Sequence, residues 1–210
     1  LGAGIALVAE TDGALVGYAE AYPGNEPEPF GLHIHLGALI VQEDARSQGV
    51  DGALYAALAE RARTLKCARL TTTATAGETA LLLFQRSEAT PVATLQRFRL
   101  AARPGQGLYQ AVPETATDPQ QIAGWAMPVG RVTSAREQWE TLWQPTWDVL
   151  PEMRVRTHRL RFSASGHEAF VVYQRGLFDP RRADVYCWSP RGMSAALLMA
   201  LRDWAHREGY

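Results

Sequence analysis

The stretch that most restricts this chain is a strand-like run that ends in a polar turn with two glycines and passes straight into a helix. The apolar run is residues 36–41, inside a predicted strand over 33–41. The turn reads Gln42-Glu43-Asp44-Ala45-Arg46-Ser47-Gln48-Gly49-Val50-Asp51-Gly52. Val50, Ala53, Leu54, Ala57, Leu58, Ala62 and Leu65 then recur at the i, i+3, i+4, i+7 spacing of one buried helix face. The first amides of a helix have no internal acceptor. They point outward, and the helix dipole adds partial positive charge there. Glycine lets the backbone approach a phosphate with no side chain in the way. Arg46, Ser47, Gln48, Gly49, Val50, Asp51, Gly52 and Ala53 therefore form a candidate anion cradle, and a pyrophosphate is its natural guest.

The surrounding pattern is mixed α and β. Strands are predicted over 4–10 and 14–22, joined at Asp12-Gly13, a tight-hairpin pair that tolerates positive φ. Residues 23–31 read as a Pro-, Gly- and Glu-rich loop. After the helix come a threonine-rich strand over 68–76, a short helix over 78–86 and a closing strand over 92–100. Pro104, Gly105, Gly107, Pro113 and Pro119 mark 101–120 as a linker. Helices are predicted beyond it over 118–126 and 134–144, the first with Asp118 as N-cap and Pro119 in its first turn. Strands over 154–163 and 168–174 flank Ser165-Gly166. A strand over 183–188 leads through Pro190-Arg191-Gly192 into a helix over 193–208. All six tryptophans lie beyond the linker and read as filler for a second core and the interface between the halves, with Trp139 and Trp143 four residues apart.

The two halves overlay. When Gly49 is set on Gly192, Ala53, Leu54, Ala57, Leu58 and Ala62 fall on Ala196, Leu197, Ala200, Leu201 and Ala205. Each half reads hairpin, strand, glycine turn, helix, the signature of an internal duplication. The first half lacks the opening strand and two helices predicted in the second, and the second stops before the strand and short helix predicted in the first. The chain opens at Leu1 without a methionine and stops at Tyr210, so native sequence is expected beyond both ends.

Residues 41–54 resemble the signature of the GNAT superfamily, the acyl-CoA-dependent N-acyltransferases. That turn reads Arg or Gln, two residues, Gly, one residue, then Gly or Ala, after a strand ending in Val. Here Val41 stands five residues before Arg46, and Arg46-Ser47-Gln48-Gly49-Val50 follows the pattern, with Asp51 where the family favours Gly or Ala. The order of elements extends the resemblance over residues 4–100. It implies an α+β fold of two GNAT-like domains, 1–103 and a degenerate 104–210, each a mixed, mostly antiparallel sheet flanked by helices. It implies acetyl-CoA as co-substrate, held by the turn and by the splayed strand at Leu39, Ile40 and Val41. It further implies direct acetyl transfer to a primary amine, either a small molecule or a peptide. The family's Tyr acid falls on Leu83 or Phe84 here, its Gly-Phe on Ser87-Glu88 or Glu88-Ala89, and its acidic strand residue on Ala38 or Gly37. His35 and Glu20 are the candidate catalytic residues, with His33, Tyr22, Glu26 and Glu28 nearby in sequence. In the second half Arg46 becomes Ser189 and Asp51 becomes Ser194, while Gly192 is kept.

Composition bounds the alternatives. The 210 residues are 47% hydrophobic and 20% charged, with a net charge of −1. Nothing in that balance points to nucleic acid or an anionic membrane. No apolar run approaches the roughly 18 residues of a membrane span, and no leader pattern is visible. Cys67 and Cys187 are too few and too far apart for a disulfide framework or a zinc site, so no metal is expected and the compartment read is the cytoplasm. The sequence is compatible with an oligomer. Two other readings stay open: a catalytically silent acyl-CoA-binding or regulatory module, and a scaffold without ligand.

Overall fold

The computed structural model describes residues 4–73, 89–114, 119–131 and 155–210. These fall into two compact units, one running to Thr94 and the other beginning at Leu95.

The first unit is a four-stranded sheet with one long helix. β1 (Ile5–Thr11), β2 (Ala14–Glu26), β3 (Gly31–Val41) and β4 (Arg69–Thr72) lie in that order. β1–β2 and β2–β3 are antiparallel, and β3–β4 is parallel. The parallel pair is reached by the crossover helix α1 (Val50–Thr64), the connection that parallel strands require. Asp12 and Gly13 take φ of 51° and 80°, the hairpin conformation their residue types favour. The core lies between sheet and helix: Ala19 and Ala21 from β2, Ile34 and Leu36 from β3, Leu54, Leu58 and Ala62 from α1, and Cys67. Gly17 sets how closely α1 approaches. A Cβ there would stand 2.7 Å from Val50 Cγ1 and 3.1 Å from Leu54 Cδ1, so the first turn of α1 rests on bare β2 backbone.

Three expectations change. The predicted loop over 23–31 shrinks to four residues, because β2 runs on to Glu26, and Pro23↔Ile34 through Glu26↔Gly31 are ladder pairs. β1 pairs with β2 only as far as Ile5↔Ala21, so Pro23 sits where no β1 donor is needed. The alternating 32–36 run recruits this segment in spite of its composition. The closing strand over 92–100 does not form: the described residues 89–108 hold no helix or strand, and Val92, Phe98 and Leu100 are exposed. β-propensity is chiefly a preference for a paired surface, and no described strand provides one. The predicted helix over 118–126 is a 3-10 turn, Pro119–Ile122, which ends at Gly124 with φ of 81°. The helices expected over 78–86 and 134–144 lie outside the described residues, as does the end of the strand expected over 68–76.

The second unit is an antiparallel sheet in the order β5-β7-β8-β9-β6. Its strands are β5 (Tyr109–Pro113), β6 (Ala126–Val129), β7 (Thr157–Ala164), β8 (His167–Arg175) and β9 (Ala183–Ser189), and α2 (Ala195–Arg207) packs on it. β6 had no sequence signal. Leu160, Phe162, Val171, Tyr173, Cys187, Leu197, Leu201 and Trp204 form the core. Leu197 and Leu201 are buried at the helix positions that Leu54 and Leu58 occupy in the first unit. Trp188 and Trp204 are buried in this unit. Trp139, Trp143 and Trp147 lie outside the described residues.

Candidate functional site

The site begins where β3 loses a partner. Pairing with β4 ends at Leu36↔Thr72, whereas pairing with β2 continues to Gly17↔Val41. Between them the β2–β3 register slips, with Glu20 opposite Ala38 and Ala21 opposite Leu36, so Gly37 is the extra residue of a bulge. Residues 37–41 are therefore paired on the β2 side alone among the described strands. Leu39 is half-buried against the core, Ile40 is 62% exposed, and Val41 is buried. All three lie on this single-sided stretch.

Beyond Val41 the chain is pinned before it turns. The Gln42 amide donates to Val16 O at 2.9 Å, and its Nε2 donates to Leu15 O at 2.7 Å. A 3-10 turn, Glu43–Ala45, buries Ala45 and leaves Arg46, Ser47, Gln48 and Gly49 exposed. Gly49 is the N-cap of α1, at φ 77° and ψ 13°, and no side chain caps the helix. Only glycine adopts that conformation without penalty. A Cβ built on Gly49 or on Gly52 would meet nothing within 4 Å, so the space over both is open.

The amides divide into two sets. Arg46 N donates to Glu43 O, Gln48 N to Ala45 O and Ala53 N to Gly49 O. Those three of the predicted cradle residues satisfy themselves. The amides of Ser47, Gly49, Val50, Asp51 and Gly52 have no acceptor among the described residues. They cluster at the positive end of the α1 dipole. Arg46 forms no ion pair with a described residue. Asp51 is half-buried in the first turn and does not cap the helix, so its carboxylate adds negative charge to an anion site. Open glycines, five donor amides and a nearby Arg fit a diphosphate; Asp51 is the one residue that opposes it.

The sheet face opposite α1 carries the other candidates. Tyr18, Glu20 and Tyr22 alternate with the core residues Ala19 and Ala21 on β2, and His33 and His35 alternate with Ile34 on β3. Tyr18 Oη donates to Glu20 Oε2 at 2.8 Å. That bond to Glu20 is the main cause that holds the Tyr18 phenol above its ordinary pKa. Tyr22 lies across two glycines: a Cβ on Gly4 would be 2.9 Å from its ring and one on Gly37 3.3 Å. His35 is buried with Nδ1 3.1 Å from Thr71 Oγ1, whose hydroxyl donates to Ile34 O at 3.5 Å. His33 is buried; its Nδ1 donates to Gly31 O at 2.9 Å, and Nε2 stands 3.8 Å from the buried Glu26. Glu28 accepts from Arg69 at 2.9 Å. Glu28 thus already has a cationic partner of its own. Leu83 and Phe84 lie outside the described residues. Glu20 and His35 belong to the same face on adjacent strands, on either side of the bulge.

The second unit treats its turn differently. Gly192 has φ of 74°, like Gly49. Yet Ser194 caps α2 by accepting from Leu197 N at 3.1 Å, and Arg191 N lies 3.4 Å from Ser189 Oγ. β9 runs through Ser189, the position matched to Arg46. The amides so bonded, those of Arg191 and Leu197, correspond to Gln48 and Leu54 of the first unit.

Comparison with known proteins places the first unit. Residues 2–87 match the Acetyltransferase (GNAT) family. The matched segment contains β1 to α1, the cradle and the Tyr18–Glu20 face. No curated protein matches the chain significantly. Among solved structures, the chain is similar to a ribosomal-protein-alanine N-acetyltransferase from Brucella melitensis biovar Abortus 2308, at 26% identity and a TM-score of 0.42, over 46% of this chain and 71% of that one. It is similar to the aminoglycoside N-acetyltransferase AAC(6')-Iy in complex with a bisubstrate analogue, at 18% identity and a TM-score of 0.42, over 46% of this chain and 69% of that one. Eis1 from Mycobacterium abscessus aligns over 94% of this chain but 54% of its own length, at 14% identity and a TM-score of 0.42.

Sequence reasoning missed three residues of this candidate site. Gly17, which seats α1, gives no signal beyond a glycine in a strand. Gly37 marks the bulge by the same weak sign. Tyr18 was legible in principle, since i, i+2 spacing puts it on the Glu20 face. Among the described residues no group of His, Cys, Asp and Glu is arranged to hold a metal ion. No described helix is long and apolar enough to cross a membrane.

Proposed function

We propose that the first unit transfers an acetyl group from acetyl-CoA directly to a primary amine, on a small molecule or a peptide, in the cytoplasm. One observation carries this: five outward amides and two open glycines at an uncapped helix start, inside a segment that matches an acetyltransferase family. Ser47, Gly49, Val50, Asp51 and Gly52 hold the diphosphate through their amides, and Arg46 adds positive charge. Leu39, Ile40 and Val41 offer the β4-side backbone of β3 to the pantetheine arm. Acetyl-CoA supplies the acyl thioester: the amine nitrogen bonds to the carbonyl carbon, the carbon–sulfur bond breaks, and the thiolate leaves to take a proton from solvent. His35 and Glu20 are the candidate proton acceptors for the amine. Alignment of the amine with the carbonyl supplies most of the rate. Cys67 and Cys187 are free thiols, in keeping with a reducing compartment.

The same reading makes the chain a tandem of two GNAT-like domains, 1–103 and 104–210, the second degenerate. The shared order of hairpin, strand, turn and helix supports it, as do the matched buried leucines. Ser189 in place of Arg46, and Ser194 as the cap of α2 where the first helix has none, support loss of cofactor binding by the second domain. A silent acyl-CoA-binding or regulatory module is the second reading, favoured by Leu83 or Phe84 where the family acid would stand and by Asp51 in the cradle.

A thiol-release assay with acetyl-CoA and a panel of amines tests the proposal. Release that depends on both substrates is the expected result. Binding of CoA without release against any amine would favour the silent module, and no binding would overturn both.

A further inference from the structure

We infer that Tyr22 is a positioning residue: its ring, laid between Gly4 and Gly37, sets the bulge in β3 and so aims the backbone of Leu39, Ile40 and Val41 at the pantetheine arm. This rests on the acetyl-transfer reading above. The two edges of the ring meet two glycines. A Cβ on Gly4 would stand 2.9 Å from Cε1 and 3.1 Å from Cδ1, and one on Gly37 would stand 3.3 Å from Cε2 and 3.6 Å from Cδ2. The ring therefore lies along the sheet, from the start of β1 across to β3, and both of its landing points are bare backbone. Neither glycine takes positive φ. Backbone conformation does not call for glycine at either place; room for the ring does. At Gly37 the next neighbour is Glu20 O at 3.7 Å, an ordinary contact.

The bulge matters because it exchanges the faces of β3. Ahead of it the even-numbered Ile34 and Leu36 lie in the core under α1. Beyond it the odd-numbered Leu39 packs on that core, and Val41 is buried opposite Gly17, which faces α1. Ala38 and Ile40 turn to the far face, opposite Glu20 and Tyr18. A one-residue change of register reverses every side chain that follows it. If Gly37 joined the β2 ladder, Leu39 and Val41 would leave the core and Ile40 would enter it. Tyr22 pairs with His35, one step before the last regular pair, Ala21↔Leu36, so its ring bears on the bulge from the ordered side. β4 gives no support there, because its last pair is Leu36↔Thr72. Bulges re-aim the chain beyond them, and the chain beyond this one is the single-sided stretch that takes the arm.

Two probes separate the arm from the cradle: adenosine diphosphate carries the diphosphate without the arm, and CoA carries both. Affinities for each are read by amide NMR titration of the whole chain. Tyr22→Ala should weaken CoA about tenfold and leave adenosine diphosphate binding unchanged. Tyr22→Phe, which keeps the ring, should restore wild-type binding of both. Gly37→Ala presses on the ring and should weaken CoA by itself; added to Tyr22→Ala it should cost nothing further, because its collision partner is gone. Gly37→Ala also carries the test if Tyr22→Ala does not fold. CoA binding that survives both substitutions, losses that add in the double variant, or CoA and adenosine diphosphate affinities that fall together in a folded variant would overturn the inference and leave acetyl transfer standing. Wild-type protein that neither binds CoA nor releases thiol would sink both.

Discussion

At the scale of single residues, the cradle makes opposing demands at two neighbouring positions. Gly49 must take φ of 77°, and an alanine there costs about 1–2 kcal/mol of backbone strain. Gly49→Ala should therefore lower the denaturation midpoint by that amount and weaken CoA binding as the turn relaxes; equal midpoints by urea titration would contradict it. Asp51 pulls the other way. Its carboxylate favours the N-terminal end of α1 by about 0.3–1 kcal/mol, yet it repels a diphosphate in the same place. Asp51→Ala should bind CoA about three- to tenfold more tightly, by calorimetry, while melting slightly earlier. Weaker binding would mean that Asp51 contributes to the site. The Asp51 departure from the family turn was visible in the sequence. Which amides remain open was not, because that depends on the 3-10 turn Glu43–Ala45, which has no distinctive pattern.

At the scale of elements, α1 is useful only where its first turn sits, and Gly17 sets that distance. Gly17→Ala should destabilise the first unit by about 1–3 kcal/mol through overpacking against Val50 and Leu54. It should also weaken CoA, since the cradle moves with the helix; a fully stable variant with normal binding would contradict this. The long periodic helix and the Asp12-Gly13 hairpin were legible because local chemistry decides both. The β2 extension through Pro23 and Gly24 was not, since pairing with 31–34 overrides local composition. The strand expected over 92–100 fails for the converse reason: local β-propensity has no described partner to pair with. In the site, Leu39, Ile40 and Val41 followed from their place before the turn, whereas the bulge at Gly37 emerges only from cross-strand register.

At the scale of the whole molecule, two units of similar order have put their glycine turns to different uses. The first helix start has no side-chain cap, whereas Ser194 caps the second. The second also anchors its linker through Asp203. That carboxylate accepts from Gly105 N at 2.7 Å and Tyr109 Oη at 2.8 Å, and pairs with Arg207 at 2.8 Å. The Gly105 amide is the largest cause holding its pKa below the usual carboxylate range, followed by Tyr109. Burial and the Asp203 bond push Tyr109 up to about 12. A depressed folded-state pKa adds stability above the unfolded value, near 3.9, and that stability is lost as pH falls through the folded value. Asp203→Asn should thus lose stability at pH 7 and show a flatter stability curve from pH 5 to pH 2 by urea denaturation. An unchanged acid slope would remove Asp203 from this role.

The central claim is that amides around Gly49 in the first unit, and not those around Gly192 in the second, hold the diphosphate of coenzyme A. Calorimetric titration of the whole chain with CoA tests it most directly. The expected isotherm has one site per chain, and it disappears in Gly49→Glu but survives in Gly192→Glu. No heat in the wild type, or an isotherm that Gly49→Glu leaves intact, would contradict it.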